Sequence, residues 1–142
     1  LIDISPISLG MTLRMITASG LDTARVTTHR CDIQEQIPLE GNSLDVLLLG
    51  EIIEHLEHAT RVMLRLATKM RVGGLCFFTT AANAPAEDHI LLFRSVWDIL
   101  QFLKRTGWTV VQEYIATIGA MTTEEAERDG YNINYAAIIR AG

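Results

Sequence analysis

Residues 43–58 read SLDVLLLGEIIEHLEH. The first half, Ser43 to Gly50, is a nearly continuous apolar run, the pattern of a strand buried on both faces of a parallel sheet. The second half sets Glu51, Glu54 and His55 at i, i+3 and i+4, so a helix here places them on adjacent turns of one face. A strand that runs into a helix is one unit of an α/β sheet, and the pattern recurs on either side.

Upstream, LIDIS (1–5) is a short apolar strand. SLGMTLRMITASG (8–20) carries Leu9, Leu13 and Ile16 at helical spacing and stops at Gly20. RVTTHRCDI (25–33) is rich in β-branched residues and reads as a strand. Downstream, the helix begun after Gly50 is expected to continue to about Arg71, with Val62, Met63, Leu66 and Met70 as its apolar stripe and VGG (72–74) as its stop. LCFFTT (75–80) is a second buried strand, and residues 81–93 form a loop. Residues 95–107 form a helix with Ser95 as N-cap and Val96, Ile99, Leu100 and Leu103 turned inward. WTVVQEYIATIG (108–119) and NYAAIIRA (134–141) are the last strands, with a polar excursion at 120–132 between them. Alternating strands and helices predict an α/β fold with helices on both faces of a mostly parallel sheet. The last two strands lack a helix between them and are expected to pair antiparallel at one edge. Met11, Met15, Met63 and Met70 are expected in the core, with Trp97 and Trp108 as packing residues.

The bulk properties narrow the function. A chain of 142 residues fits one domain, 1–142. Its composition, 49% hydrophobic and 20% charged, is that of a folded, soluble protein. The net charge is −5 and the 12 basic residues are scattered, which disfavours nucleic acid as a partner. No apolar run reaches the roughly 18 residues of a membrane span, and no signal-peptide pattern opens the chain. Cys31 and Cys76 fall in strand-like segments as lone thiols, expected to be buried and reduced in a cytoplasmic protein.

In open parallel sheets, ligands bind beyond the carboxyl ends of the strands. That rule selects Asp3 and Ser5, Cys31 and Asp32, Gly50 and Glu51, and Thr79 to Asn83. Ionised carboxylates only accept hydrogen bonds, so acidic residues there suit ribose hydroxyls or an exocyclic amine. Equally, acidic residues at such positions can serve only to cap helices.

These segments resemble the class I S-adenosylmethionine-dependent methyltransferases. LIDISP (1–6) is similar to their acidic-loop motif. HRCDIQEQIPLEGNSLDVLLLGEIIEHLEHATRVMLRLATKMRVGGLCFFTT (29–80) is similar to their central stretch: an Asp after the third strand, an apolar strand, E-x-x-E-H, a helix and a Gly-Gly turn. HILLFRSVWDILQFLKRTGWTVVQE (89–113) is similar to their tail. The likeness is nearest to the small-molecule subgroup that includes ubiquinone-pathway O-methyltransferases. It implies a Rossmann-like fold, S-adenosylmethionine as cofactor and a small-molecule methyl acceptor. It further implies that Asp3, with Ile4, accepts from the cofactor's ribose. Asp32 accepts from the adenine amino group, with Ile33 beside the ring, and Gly50 and Glu51 lie near the methionine end. The family's glycine-rich loop and its strand precede the acidic loop. Neither is present here, so an upstream segment is expected to complete the domain.

Three roles stay open for GEIIEHLEH. Glu51 and Glu54 can sit in a first helical turn, where negative charge meets the helix dipole. His55 or His89 can act as general base, with Glu51 orienting the acceptor and Phe93 walling the substrate. Glu51, Glu54, His55 and His89 can also hold a metal ion such as Mg²⁺ or Mn²⁺. That last pattern resembles metal-assisted RNA 2′-O-methyltransferases, which also carry a later D-H, here Asp88-His89. A non-catalytic interaction module on the same fold is the remaining alternative.

Overall fold

The computed structural model describes residues 1–142, which form two compact units, Leu1–Pro38 and Leu39–Gly142. No helix is long and apolar enough to cross a membrane.

The first unit holds β1 (Ile2–Asp3), α1 (Pro6–Ala18) and β2 (His29–Arg30). Ser5 caps α1 by accepting from the Ser8 amide, and Pro6 fills the first turn, where its missing N–H is not needed. The strands pair in parallel, Ile2 with His29 and Asp3 with Arg30. The strand expected over 25–33 shrinks to these two residues, because Thr23–Arg25 is a 3₁₀ turn capped by Asp22. Leu9, Leu13 and Ile16 are half-buried as expected, but Met11 and Met15 are exposed, a correction to their expected core role. One helix beside two short strands buries a single stripe, and the methionines lie off it.

The second unit contains β3 (Leu44–Gly50), α2 (Ala59–Ala67), β4 (Met70–Ala82), α3 (Val96–Arg105), β5 (Trp108–Ala116), α4 (Thr123–Asp129) and β6 (Ile133–Ala141). Its sheet runs β3-β4-β6-β5. β3 and β4 are parallel, whereas β6 is antiparallel to both β4 and β5. The antiparallel pairing of the last two strands is therefore present, but β6 lies inside the sheet and β5 takes the edge. Alternation explains why β6 can be central: Ile133, Tyr135, Ala137 and Ile139 are all buried on one face.

Three boundaries differ from expectation. The helix after Gly50 starts only at Ala59 and ends at Ala67, although Val62, Met63 and Leu66 do form its buried stripe. β4 starts at Met70, so VGG is a bulge inside a strand and not a helix stop; pairing jumps from Leu44–Met70 to Val46–Leu75 across it. Within 120–132, Thr122 and Glu125 form a reciprocal capping box and Gly130 closes α4 in the left-handed region at φ 74°.

The core closes over one sheet face. Leu49 beside Phe78 and Cys76 beside Ile139 are buried on it, and the Trp108 indole donates to the Met63 carbonyl of α2 at 3.2 Å. Ser95 caps α3, with Val96, Ile99 and Leu103 buried, while Trp97 points outward and is exposed, contrary to its expected packing role. β3 is not buried on both faces: Val46 and Leu48 are 63% and 73% exposed, and Phe77 beside Leu48 is also exposed. Only one face of this edge strand is covered.

Candidate functional site

The residues after β3 turn sharply instead of entering a helix. Gly50 pairs with Thr79, and the Glu51 amide donates to the Thr79 carbonyl at 3.1 Å. Glu51 then takes φ 51°, left-handed and uncommon for a residue with a side chain. A single 3₁₀ turn, Ile53–His55, follows, and Leu56 is extended again. Glu51, Glu54 and His55 thus do not share a helical face as expected. The positive φ at one end and the extended residue at the other prevent the i→i−4 ladder from starting. The turn buries Ile53 and Glu54, at 0% and 1% exposure, and leaves His55 half-exposed.

Non-local hydrogen bonds bring the second histidine in. The Glu54 carbonyl accepts from the amides of Ile90 and Leu91 at 2.8 and 2.9 Å, which pins the loop after β4 against this turn. The rings of His55 and His89 meet edge to face, with centroids 4.9 Å apart. One ligand-type atom from each of Glu54, His55 and His89 lies within 4.8 Å of the others. Of the four residues expected to cluster, Glu51 is the one outside this trio; it is exposed.

The protonation pattern follows from the partners. His55 Nδ1 lies 3.0 Å from the Asp88 carbonyl and 3.4 Å from its carboxylate, and His89 Nδ1 lies 2.6 Å from the Ala84 carbonyl. A carbonyl oxygen only accepts, so each Nδ1 carries the proton and donates, leaving a lone pair on each Nε2. Glu54 Oε2 accepts from the Thr80 hydroxyl at 3.1 Å, while buried Oε1 has no partner. Burial, and after it the neighbouring Glu51 carboxyl, raise the Glu54 pKa above the ordinary carboxylate value against its bonds to the backbone and Thr80. Thr80 and Asn83 fall in the 79–83 stretch that the strand-end rule selects and Asp88 in the D-H pair, but sequence assigned none of the three a role of its own. Asn83 is a second left-handed residue, φ 52°, just past β4, and its Nδ2 is also buried without a partner. Phe93 is 3% exposed and packs edge-on against Phe102, so it is a core residue and not a substrate wall.

In the first unit, parallel pairing carries Asp3 and Asp32 to the same strand end, and the Cys31 amide donates to the Asp3 carbonyl at 3.1 Å. Each carboxylate is half-buried and spends Oδ1 locally, Asp3 on the Ser5 amide at 2.7 Å and Asp32 on the Gln34 amide at 2.8 Å. Ser5, and not Asp3, is the N-cap of α1. Asp32 does hold a turn, since its carbonyl also accepts from Glu35 and Gln36. Ile33 is half-buried and Ile4 exposed. The second oxygen of each acid is an acceptor of the kind a ribose or an adenine amine requires.

Residues 1–78 match the family model described as a methyltransferase domain. The chain belongs to the methyltransferase domain family. Solved structures carry the likeness of this methyltransferase domain over its full length. The [4+2]-cyclase SpnF is 12% identical, with a TM-score of 0.75 over 99% of this chain and 65% of that one. An S-adenosylmethionine-dependent methyltransferase from Aquifex aeolicus is 13% identical, with a TM-score of 0.64 over 96% of this chain and 66% of that one. Geranyl diphosphate C-methyltransferase from Streptomyces coelicolor A3(2), solved with Mg²⁺, geranyl diphosphate and S-adenosyl-L-homocysteine, is 12% identical; its TM-score is 0.70 over 99% of this chain and 61% of that one. The methyltransferase domain thus spans about two thirds of these three proteins. No curated protein matches it by sequence. The expected methyltransferase family is the one the chain matches.

Proposed function

We propose that the chain forms the larger part of an enzyme that transfers a methyl group from S-adenosylmethionine to an oxygen, nitrogen or carbon atom of a small molecule. The observation that carries this is the trio Glu54, His55 and His89 at the carboxyl ends of β3 and β4, with two unprotonated Nε2 atoms. S-adenosylmethionine supplies an electrophilic methyl group. The acceptor must be held in line with it and must lose a proton, and much of the acceleration comes from positioning. His55 and His89 are the proton acceptors in this scheme. Their Nδ1 bonds fix the tautomer that a neutral base requires.

Within the first unit, Asp3 and Asp32 offer their Oδ2 atoms to the cofactor's donor groups. Gly50, expected near the methionine end, closes β3 of the second unit without a side chain. A groove of about 750 Å³ is lined by Leu56 and Ile90, the residues that follow His55 and His89, together with Leu64, Leu91 and Phe102. Its volume is within the range of small-molecule sites. Two free thiols agree with action in the cytoplasm. The net charge of −5 favours a small acceptor over RNA. The place in the ubiquinone-like subgroup rests on the resemblance of the ordered segments 1–6, 29–80 and 89–113. The position of β3 at the end of the strand order, with one edge unpaired, supports the reading that a further strand completes this sheet.

Calorimetric titration of S-adenosylhomocysteine into this chain and into an upstream-extended form tests the proposal. Asp3→Asn and Asp32→Asn keep the local Oδ1 acceptor and put an NH₂ donor in place of Oδ2. Each is expected to weaken binding by about 10- to 100-fold, the worth of one hydrogen bond to a charged group. Failure of both unsubstituted forms to bind overturns the proposal.

A further inference from the structure

In the second unit Glu54, His55 and His89 each bring one ligand-type atom within 4.8 Å of the others. Each imidazole has its Nδ1 on a carbonyl, which leaves Nε2 as the lone pair of the neutral ring on His55 and on His89, and Glu54 keeps Oε1 without a partner. The third is the telling one. Glu54 is 1% exposed and its Oε1 has no hydrogen-bond partner, which is costly for a carboxyl group. A proton on Glu54, shared with one imidazole or with the neighbouring Glu51 carboxyl, leaves at least one imidazole unanswered. A water molecule has two protons for three acceptors. A divalent cation answers all three.

The surroundings are those of metal ligands. Histidines that bind metals donate their second ring nitrogen to a carbonyl or carboxylate, which fixes ring orientation and raises ligand basicity. Here Asp88 receives from His55 through its carbonyl at 3.0 Å, with its carboxylate at 3.4 Å, and the Ala84 carbonyl receives from His89 at 2.6 Å. Thr80 steadies the far oxygen of Glu54 at 3.1 Å. All three side chains therefore have an outer hydrogen-bond partner.

We propose that Glu54, His55 and His89 form a binding site for a divalent transition-metal cation. Two imidazoles and one carboxylate, with no thiolate, suit Zn²⁺, Fe²⁺, Co²⁺ or Mn²⁺, and they leave coordination positions open. An oxygen of the acceptor, a hydroxyl or a carboxylate, is the group that fills them. Ligand atoms around a four-coordinate ion with bonds of about 2.1 Å stand roughly 3.4 Å apart. The trio, now within 4.8 Å, closes onto an ion by small rotations of the two half-exposed imidazoles. With the cation bound, His55 and His89 act as ligands and the metal takes over the lowering of the acceptor's pKa. The site itself does not depend on the methyltransferase proposal.

The test uses the full chain stripped of metal by chelation. Co²⁺ is titrated while its visible absorption is followed, and Zn²⁺ and Mn²⁺ are titrated by calorimetry. One equivalent is expected, with the intense absorption of a low-coordinate Co²⁺ site. His55→Ala, His89→Ala and Glu54→Gln should each weaken binding by more than about 100-fold, whereas Asp88→Ala, which keeps the backbone carbonyl that His55 donates to, should weaken it by less than about 10-fold. His58→Ala, an exposed histidine outside the trio, should change nothing. No uptake by the unsubstituted chain, or uptake that survives His89→Ala, overturns the site. Circular dichroism on each variant separates loss of the site from loss of the fold; His89→Gln replaces any trio variant that unfolds. S-adenosylhomocysteine titrated into the same samples reports separately on the methyltransferase reading.

Discussion

Glu51 allows a test whose sign is set by one backbone angle. At an ordinary extended or helical position, glycine is less stable than alanine by about 0.5–1 kcal/mol, because its unfolded state is freer. Glu51 sits at φ 51°, where a Cβ costs roughly 1–2 kcal/mol. Glu51→Ala keeps that strain, and Glu51→Gly removes it while adding the entropic penalty. The difference leaves Glu51→Gly more stable than Glu51→Ala by about 0.5–1 kcal/mol, the reverse of the usual order. For a chain of this size that is a melting-temperature gap of roughly 2–4 °C. Thermal and urea unfolding of the two variants measure it, and both keep the Glu51 amide bond to Thr79. Both also lose the carboxylate, so any effect on methyl transfer should be equal in the two. Alanine at or above glycine in stability would refute the left-handed turn, and with it the placement of Glu54 that the turn sets up. Strain of this kind persists where the surroundings over-determine it, commonly at functional sites.

Two further predictions concern the scaffold. A Cβ at Gly74 would lie 2.9 Å from the Leu44 carbonyl and 3.0 Å from that of Arg71, both backbone atoms that cannot step aside; Gly74→Ala should lower the urea midpoint by an amount worth about 1–3 kcal/mol. Gly10→Ala, inside α1 with nothing within 4 Å of the new Cβ, should raise it by about 0.5–1 kcal/mol, and equal effects at the two positions would refute the bulge geometry. Burial pushes the Cys76 thiol from 9.0 up to about 12, so it should resist a thiol reagent at pH 8 until the chain unfolds, while half-buried Cys31 reacts. Between those two values the unfolded chain gives up a proton that the folded chain keeps. Stability should therefore fall as pH rises through that window, by up to about 1.4 kcal/mol per unit. The slope should be shallower in Cys76→Ala; an unchanged slope would refute the shift. Tyr135, raised by burial and by its Glu113 partner, contributes in the same direction and remains in that variant.

The alternation of strands and helices was legible because it rests on local periodicity. Val62, Met63 and Leu66 on α2, or Val96, Ile99 and Leu103 on α3, announce their buried faces without reference to anything distant. α4 was also open to reading, since Thr122 and Glu125 are spaced for a capping box, but its polar composition hid it. Exposure was harder to foresee. The apolar residues of Leu44–Gly50 and the methionines at 11 and 15 show no difference in sequence from buried ones, because burial is decided by which elements lie alongside.

The site illustrates the same limit more sharply. Sequence grouped Glu51, Glu54, His55 and His89; the structure gathers the last three into a trio and leaves Glu51 exposed beside Glu54. The decisive bonds run from the amides of Ile90 and Leu91 to the carbonyl of Glu54, across 36 and 37 residues, and involve no side chain that a motif could register. The fold cannot substitute for that geometry either. A cyclase and methyltransferases share this architecture at 12–13% identity, so the reaction is set by the groups at the strand ends and not by the sheet beneath them. For this chain those groups are a buried carboxyl with an unanswered oxygen and two imidazoles with fixed tautomers. Whether a proton or a cation sits among them decides how an acceptor is activated, and a metal titration measures that independently of any substrate.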